Sequence, residues 1–210
     1  MNKPIKSIIF DMDGTLLDSS YAMVQSVNYV RDSLGLPPLE KTFLEYHINQ
    51  PDQDLPMLFY GTPQYVPEHR ELFKTHYLEN ANLHVKVYDG VFETLDILKE
   101  MGIILSVATN ASDFFAYNML EHQKILHFFD FVVGANCVKS PKPEPDMLHL
   151  ILDKSQVSFE HSLLVGDSIK DELAAKNAGI DFLFANWGYG EKSSKEKTIN
   201  SLREIIQFLH

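Results

Sequence analysis

The stretch SIIFDMDGTLLDSS, residues 7–20, ends a short apolar run with two aspartates, Asp11 and Asp13, that are one residue apart. The apolar run at residues 6–10 is typical of a buried strand, and the polar residues after it are typical of a turn. Two carboxylates brought together out of water are costly unless a cation offsets their charge. The stretch therefore predicts a first strand that ends in an acidic, cation-binding turn.

The composition of the whole chain is that of a globular protein. Its 210 residues include 45% hydrophobic and 22% charged residues, which is enough apolar material for a sizeable core. A formal net charge of −11 argues against a nucleic-acid-binding protein, because binding to phosphate backbones needs clustered Lys and Arg. Cys137 is the only cysteine, which excludes an internal disulfide, and we expect it to be a buried, unreactive thiol.

The first residues and the hydropathy of the chain predict a cytoplasmic protein. Residues 1–10 lack the long apolar segment of a signal peptide. No apolar run approaches the ~18 residues that a membrane-spanning helix needs. We therefore expect no membrane partner, and no pattern in the sequence sets the oligomeric state.

Directly after the first strand, helical periodicity replaces the strand pattern. Apolar residues recur at helical spacing in this region: Met23, Val27, Val30 and Leu34. Ser19 or Ser20 is suited to cap the helix, and a further helix is expected to begin at Pro67. No alternating strand is recognisable between residues 19 and 84, so this part of the chain is interpreted as a helical insertion.

Strands and helices alternate along the remainder of the chain. Apolar runs predict strands at residues 103–108, 131–133, 162–165 and 180–184. Helices are expected near residues 91–98, 113–122, 145–152, 169–178 and 202–209. This alternation is typical of a parallel sheet that is covered on both faces. We predict an α/β fold: a doubly wound, Rossmann-like parallel sheet core (1–18 and 85–210) with an inserted α-helical cap domain (19–84).

Polar residues fall where the predicted strands end, which is where ligands bind in such sheets. They are Asp11, Asp13, Thr109, Asn110, Lys142, Asp167, Ser168 and Asp171. Taken singly, several have ordinary alternatives: Asp13 suits a turn, Thr109 a helix cap, and Lys142 a solvated surface. Together they indicate one site, and oxygen ligands without His or Cys suit a hard ion such as Mg²⁺.

Four motifs in chain order resemble those of the haloacid dehalogenase superfamily of phosphohydrolases. They are DMDGTLLDS, SVATN, KPEP and GDSIKD. The first motif is highly specific, the spacing GD-x-x-x-D supports it, and the resemblance covers nearly the whole chain. The helical insertion resembles the type-1 cap of the phosphoglycolate phosphatase-like and β-phosphoglucomutase-like branch.

The resemblance implies how the chemistry would proceed. Asp11 would be the nucleophile that forms an aspartyl-phosphate, with Mg²⁺ neutralising the repulsion between carboxylate and phosphate. The Asp11 side chain, the Asp13 backbone carbonyl and Asp167 would hold the metal. Asp13 would serve as the general acid and then as the general base. Lys142 would orient Asp11 and add positive charge.

The resemblance also implies the groups that surround this centre. Phosphoryl oxygens would be held by the backbone N–H groups of Met12 and Asp13 and by the side chains of Thr109, Asn110 and Lys142. Gly14 would let the turn approach the ligand closely. Ser168 and Asp171 would support the metal ligands from behind.

The predicted function is a Mg²⁺-dependent phosphatase that acts on a small phosphorylated metabolite. The presence of Asp13 favours phosphoryl chemistry over dehalogenation. Two alternatives stay open: a phosphomutase of the β-phosphoglucomutase type, and a non-catalytic module that accepts phosphate or binds metal. The substrate is equally open among phosphoglycolate, a sugar phosphate, a nucleotide and pyrophosphate.

The cap residues that would select the substrate are the hardest to identify from the sequence. The candidates are Tyr46, His47, Asn49, Gln50 and Arg70. The WGYG segment at residues 187–190 resembles the loop after the family's fifth strand, where it would contact substrate or cap or form an ordinary glycine turn. Residues 188–198 as a whole are expected to form a polar, mobile loop.

Overall fold

The computed structural model describes residues 4–190 and 197–209, and its strands form two sheets. In chain order the strands are β1 (Ser7–Phe10), β2 (Leu17–Asp18), β3 (Lys86–Val87), β4 (Ile104–Thr109), β5 (Phe131–Gly134), β6 (Ser162–Gly166), β7 (Asp181–Ala185) and β8 (Thr198–Ile199). Six of them form a parallel sheet in the order β5-β4-β1-β6-β7-β8, and β2 pairs with β3 in a separate ribbon.

Eight α-helices surround these strands in the described part of the chain. They are α1 (Ser20–Ser33), α2 (Lys41–Asn49), α3 (Leu55–Tyr60), α4 (Pro67–His84), α5 (Val91–Glu100), α6 (Asp113–His122), α7 (Asp146–Ser155) and α8 (Ile169–Ala178). Short 3-10 helices lie at Leu126–Phe128, Ala135–Cys137, Phe159–His161 and Leu202–Phe208. None of the helices described here is both long enough and apolar enough to cross a membrane.

The parallel sheet has a hydrophobic core on each face. Ile8 and Phe10 of β1 pack with the apolar residues of α5 and α6, whereas Ile9 faces the opposite side and packs with α7 and α8. All four residues of β1 are therefore buried, and each large apolar side chain stabilises the fold by about 1.5–3 kcal/mol on burial. The predicted doubly wound α/β fold is confirmed.

The strand order places the end of β1 at the centre of the sheet. The chain winds outward from β1 through β4 to β5, then returns to β6 on the other side of β1. Phe10 is in register with Val107 of β4 and with Val165 of β6. Asp11 and Asp167, which follow β1 and β6, consequently lie at the topological switch point, where ligands bind in doubly wound sheets.

Helices α1 to α4 stand between β2 and β3, and no strand interrupts them, as predicted. They share a third hydrophobic cluster around Val27, Leu44 and Phe59. The chain leaves the sheet through β2 and returns through β3, and these two segments pair antiparallel. This ribbon was not predicted, because two-residue strands carry no periodicity in the sequence. The division into core and cap domains at residues 18/19 and 84/85 stays a prediction.

Several local predictions are wrong. Cys137 is exposed rather than buried, because β5 ends at Gly134 and the chain has already left the sheet. The C-terminal segment forms a 3-10 helix instead of an α-helix. Leu34 follows the end of α1 and is exposed. Ser19 precedes α1 without a side-chain capping bond.

The predicted polar loop at residues 188–198 is only partly a loop. Thr198 belongs to β8 and is in register with Phe184 of β7. Residues 188–190 contact the site described below, and residues 191–196 lie outside the described residues. Strand β8 is too short to show an alternating pattern of polar and apolar residues, so the sequence did not indicate a sixth strand in the parallel sheet.

Candidate active site

Three carboxylates and one lysine meet at the rim of the sheet where β1 and β6 end. Lys142 Nζ lies 2.6 Å from Asp11 Oδ1 and 2.6 Å from Asp171 Oδ1. One carboxylate oxygen from each of Asp11, Asp167 and Asp171 lies within 4.8 Å of the other two. All four side chains are buried. We call this group the acidic rim.

The first turn of α8 fixes Asp171. Ser168 and Asp171 form a capping box, in which the Asp171 N–H donates to Ser168 Oγ at 3.4 Å and the Ser168 N–H donates to Asp171 Oδ2 at 3.1 Å. The Ser168 hydroxyl also donates to Asp171 Oδ2, at 2.5 Å. Because Lys142 occupies the other oxygen, both oxygens of Asp171 have donors. Asp171 therefore anchors the lysine. Its place behind the metal ligands stays a prediction.

Asp11 keeps one oxygen available. Its backbone N–H donates to the carbonyl of Val165 at 2.8 Å, which fixes the turn against β6. Lys142 binds Oδ1, and Oδ2 has no hydrogen-bond donor within residues 4–190 and 197–209. Lys142 thus orients the carboxylate while leaving the second oxygen free to act on a ligand.

Burial dominates the electrostatics of the acidic rim. Burial raises the pKa of Asp11 well above its ordinary value, although the Lys142 charge opposes the shift. Burial and the Asp171 charge raise the pKa of Asp167 to about 7. Burial alone would lower the pKa of Lys142, but the two carboxylates outweigh it and raise that pKa. With three carboxylates and one ammonium, the rim favours a further cation.

Glycines enclose the Asp167 carboxylate. Gly14 has φ +89°, and a Cβ there would lie 2.3 Å from Asp167 Oδ2. A Cβ on Gly188 would lie 2.3 Å from the same oxygen. The backbone N–H groups of Tyr189 and Gly190 donate to Oδ2 at 2.7 and 3.2 Å. Any side chain at Gly14 or Gly188 would displace this carboxylate, so the glycines are required for its position.

The turn after β1 presents backbone donors. The Met12 carbonyl accepts N–H groups from Leu16 and Leu17 at 3.0 and 2.9 Å, which closes the turn. The N–H groups of Met12 and Asp13 have no acceptor among the described residues. Successive free N–H groups of this kind form an anion-binding nest. Both predicted phosphate donors of this turn are therefore free of hydrogen bonds to the described residues.

Asp13 is held at the side of this turn. Its carboxylate accepts a hydrogen bond from the Ser19 hydroxyl, at the start of the helical insertion. Burial raises the pKa of Asp13, and the Ser19 hydroxyl, Lys142 and the Thr109 hydroxyl oppose this in decreasing order. A carboxyl whose pKa is raised is suited to carry a proton and to release it.

Thr109 is the last residue of β4, and Asn110 follows it beside the acidic rim, at the strand end where both were predicted. Thr109 is buried, and its hydroxyl accepts the N–H of Ala111 at 3.1 Å. The Asn110 side chain donates to the Lys142 carbonyl at 2.7 Å. Asn110 thus holds the segment that carries the lysine, a contact that sequence analysis did not anticipate. Their roles as phosphate ligands stay predictions.

Tyr189 connects the acidic rim to the start of the helical insertion. Its hydroxyl accepts the N–H groups of Ser19 and Ser20 at 2.6 and 3.0 Å. The same hydroxyl lies 3.2 Å from both the Leu17 carbonyl and the Asp18 carboxylate, and it donates to one of them. Burial raises the pKa of the Tyr189 phenol, which keeps it a neutral donor. Sequence analysis named this loop but left its role open.

A cavity of about 200 Å³ lies between α2 and this loop. Three of the five predicted cap candidates line it: Tyr46, Asn49 and Gln50. The other two are engaged elsewhere. His47 Nδ1 lies 2.8 Å from Gln53 Oε1, and the Arg70 guanidinium lies 5.1 Å above the centre of the Tyr65 ring.

The fold places the acidic rim at the switch point of the sheet, which is where doubly wound α/β proteins bind small ligands. The chain belongs to the haloacid dehalogenase-like hydrolase family, whose family model matches residues 8–185. The predicted family is therefore confirmed.

Individual relatives agree with this membership. The chain is 35% identical over 196 residues to a phosphoglycolate phosphatase of Vibrio cholerae, covering 89% of this chain and 87% of the relative. It is 28% identical to a phosphoglycolate phosphatase of Chromobacterium violaceum, covering 99% and 97%. The crystal structure of a predicted phosphoglycolate phosphatase from Haemophilus somnus superposes with a TM-score of 0.83, at 25% identity and 98% coverage of each chain. These comparisons confirm the predicted class of enzyme, a phosphatase-type hydrolase.

Proposed function

We propose that the protein is a Mg²⁺-dependent phosphatase that hydrolyses a small phosphate ester through an aspartyl-phosphate on Asp11. The observation that carries this proposal is the buried arrangement of Asp11, held by Lys142 and lying beside Asp167. A carboxylate with one oxygen fixed and the other free is suited to in-line attack on phosphorus. The names of the curated relatives support a small ester such as phosphoglycolate as substrate.

The donor set fits Mg²⁺. The proposed ligands are the Asp11 side chain, the Asp13 carbonyl and Asp167, all of which offer oxygen. The carboxylates of Asp11 and Asp167 lie close together in a buried site, and burial raises the pKa of both. Ionising both carboxyl groups there has an electrostatic cost, which a divalent ion between them would remove. When bound, Mg²⁺ supplies the positive charge that lets an anionic nucleophile approach an anionic phosphoryl group.

The two carboxyl groups of the turn after β1, those of Asp11 and Asp13, have different roles. Asp11 Oδ2 attacks phosphorus as the bond from phosphorus to the leaving oxygen breaks, and the Asp13 carboxyl gives its proton to that oxygen. Water then attacks the phosphorus of the aspartyl-phosphate, and Asp13 takes a proton from the water. Inorganic phosphate is released and the Asp11 carboxylate is restored.

The remaining residues hold the phosphoryl oxygens. The free N–H groups of Met12 and Asp13 are proposed to bind two of them, because neither has an acceptor among the described residues. The Thr109 hydroxyl and the Lys142 ammonium are proposed to bind the others. Asn110 contributes directly through its second N–H or by positioning Lys142.

A phosphate-release assay tests this proposal. With Mg²⁺, the protein is expected to release phosphate from small esters, and EDTA is expected to stop the release. Asp11→Asn should lose at least about 10³-fold in activity, as removal of a nucleophile does in other enzymes. Asp96→Asn makes the same charge change on an exposed surface of α5 and should retain full activity.

The same assay separates the two alternatives. A phosphomutase would release little phosphate until a second sugar phosphate was added, and would then convert one sugar phosphate to another. A non-catalytic module would show no steady turnover. Substantial activity in a folded Asp11→Asn variant would contradict the nucleophile assignment.

A further inference from the structure

The loop of residues 187–190 contacts the acidic rim at one end and the start of the helical insertion at the other. Given the proposed Mg²⁺ site, on which this inference rests, we infer that Tyr189 is a positioning residue that connects the proposed metal ligand Asp167 to Ser19. Because the Ser19 hydroxyl in turn binds Asp13, a cation at Asp167 would also fix the proposed acid and base.

At the rim, the loop binds one oxygen of the Asp167 carboxylate and leaves the other for a ligand. The backbone N–H groups of Tyr189 and Gly190 donate to Oδ2 at 2.7 and 3.2 Å. Oδ1 lies 3.5 Å from the Thr15 hydroxyl, its only hydrogen bond in the part of the chain that the structure describes. A cation can therefore bind at Oδ1 while the loop stays bonded to Oδ2.

At the insertion, the side chain of Tyr189 makes the connection. Its hydroxyl accepts the N–H groups of Ser19 and Ser20 at 2.6 and 3.0 Å. The same hydroxyl donates to the Leu17 carbonyl or to the Asp18 carboxylate, each 3.2 Å away. These four residues form the junction between β2 and α1, where the chain leaves the sheet for the insertion. One phenol group thus bonds to both sides of that junction.

Trp187 attaches the same loop to the neighbouring chain segments. Its indole N–H donates to the Thr15 carbonyl, in the turn after β1, at 3.1 Å. Its ring centre lies 6.4 Å from that of Tyr88, edge to face. Tyr88 follows β3, where the chain returns from the insertion. The loop therefore contacts the chain both where it leaves the sheet and where it returns.

The shared loop couples its two ends energetically. The carboxylates near Asp167 repel it when no cation is present, and a bound cation removes this repulsion. The cation thereby keeps Asp167 where the two N–H groups of the loop meet it, and hydrogen bonds to a carboxylate are among the stronger ones in proteins. An opening of the junction that pulled Tyr189 away would break one of these bonds. Cation binding should therefore make this opening rarer.

Amide hydrogen exchange, followed by NMR on the full chain with Mg²⁺ or with EDTA, tests this inference without any turnover. In the wild-type protein, saturating Mg²⁺ is expected to slow exchange about five- to tenfold at four amides, those of Tyr189 and Gly190 at the rim and those of Ser19 and Ser20 at the junction. Tyr189→Phe keeps the backbone N–H groups of the loop but removes the hydroxyl. In this variant Mg²⁺ should still slow exchange at positions 189 and 190, but should change it by less than about twofold at the junction.

The matched control is Tyr117→Phe, which removes the hydroxyl of an exposed tyrosine on α6 and should keep the wild-type response at all four amides. Calorimetry on the same samples records whether Mg²⁺ binds. If Mg²⁺ binds the wild-type protein without slowing exchange at Ser19 and Ser20, or if Tyr189→Phe retains that slowing, the inference is overturned while the proposed metal site stands. Absence of Mg²⁺ binding by the wild-type protein would instead refute the proposed metal site and this inference with it.

Discussion

The acidic rim and the α2–α3 region differ in how their polar side chains are held. In the rim, Lys142 binds Asp11 across 131 positions of sequence, and Thr15 lies near Asp167 across 152. In the α2–α3 region the partners are local: Asn49 donates to the carbonyl of the residue four positions earlier, and Asp54 caps its own helix. The sheet therefore fixes the rim, whereas the α2 side chains that line the cavity depend mainly on their own helix.

This difference indicates that the acidic rim and the α2–α3 region have separate functions. A change in the rim disturbs groups that follow β1 and β6 and the segment that carries Lys142, and it should affect the hydrolysis of every ester. A change on α2 leaves the sheet intact, and it should alter only the relative rates for different esters. The predictions below test this division, beginning with the largest expected effect.

Loss of the central ammonium should be the most damaging change. Lys142→Met leaves Asp11 and Asp171 buried beside each other without their cation, so activity should be lost for all esters. The free energy of unfolding should fall by about 3–5 kcal/mol, as expected when one partner of a buried ion pair is removed. Lys99→Met is the control, because its pair with Asp130 is about one-third exposed and is worth at most about 1 kcal/mol. Chemical denaturation would measure both losses, and equal losses would contradict the account.

A methyl group against Asp167 should weaken metal binding next most strongly. Gly14→Ala adds both left-handed strain and a Cβ within 2.3 Å of the carboxylate. The affinity for Mg²⁺ should fall about 10- to 100-fold, as it does when support for a metal ligand is lost. Gly90→Ala meets similar strain at φ +79°, and no atom of residues 4–190 and 197–209 lies within 4 Å of the added Cβ, so it should cost only about 1 kcal/mol of stability. Calorimetric titration that showed unchanged affinity in Gly14→Ala would disprove the proposed enclosure.

Removal of the Tyr189 hydroxyl should have a smaller effect. Tyr189→Phe deprives the N–H groups of Ser19 and Ser20 of their acceptor but keeps the backbone bond to Asp167. We expect kcat to fall by roughly tenfold, about 1.4 kcal/mol, with Mg²⁺ affinity retained. Tyr21→Phe, on the exposed side of α1, serves as the control. A decrease in Mg²⁺ affinity that accounted for the lower kcat would show that the loop acts on the metal ligand alone.

The sequence allowed the sheet and most rim residues to be predicted. Asp11 and Asp167 could be placed because buried parallel strands read as apolar runs and ligands collect at their carboxyl ends. The contact of Asn110 with the Lys142 carbonyl could not be foreseen, since it depends on how two loops pack. The exposure of Cys137 was not predicted for a similar reason. Cysteine is usually buried, but whether Cys137 is buried depends on where β5 ends.

The α2–α3 region was harder to interpret from sequence. Of the five candidates there and on α4, only three line the cavity, because His47 and Arg70 find partners within the helical insertion. Glu45 also lines the cavity, but it belongs to no motif and has an ordinary helical partner in Lys41. Which polar side chains of a helix face a cleft depends on tertiary packing, and the apolar periodicity of α2 does not single them out.

Protonation of Asp167 makes the proposed binding of Mg²⁺ depend on pH. The pKa of Asp167 is raised from an ordinary 3.8 to about 7. In the metal-free protein this shift makes the free energy of unfolding fall as pH rises from about 4 to about 7, because only the folded state still holds the proton. Above that range the carboxylate is free to bind a cation, so Mg²⁺ should raise Tm more at pH 8 than at pH 6.

Isothermal titration calorimetry with Mg²⁺ at pH 6 and pH 8 tests most directly whether the acidic rim binds a divalent cation. We expect one ion per chain, tighter binding at pH 8, and loss of binding in a folded Asp167→Asn variant. Absence of binding by the wild-type protein at pH 8, or undiminished binding by Asp167→Asn, would contradict the account.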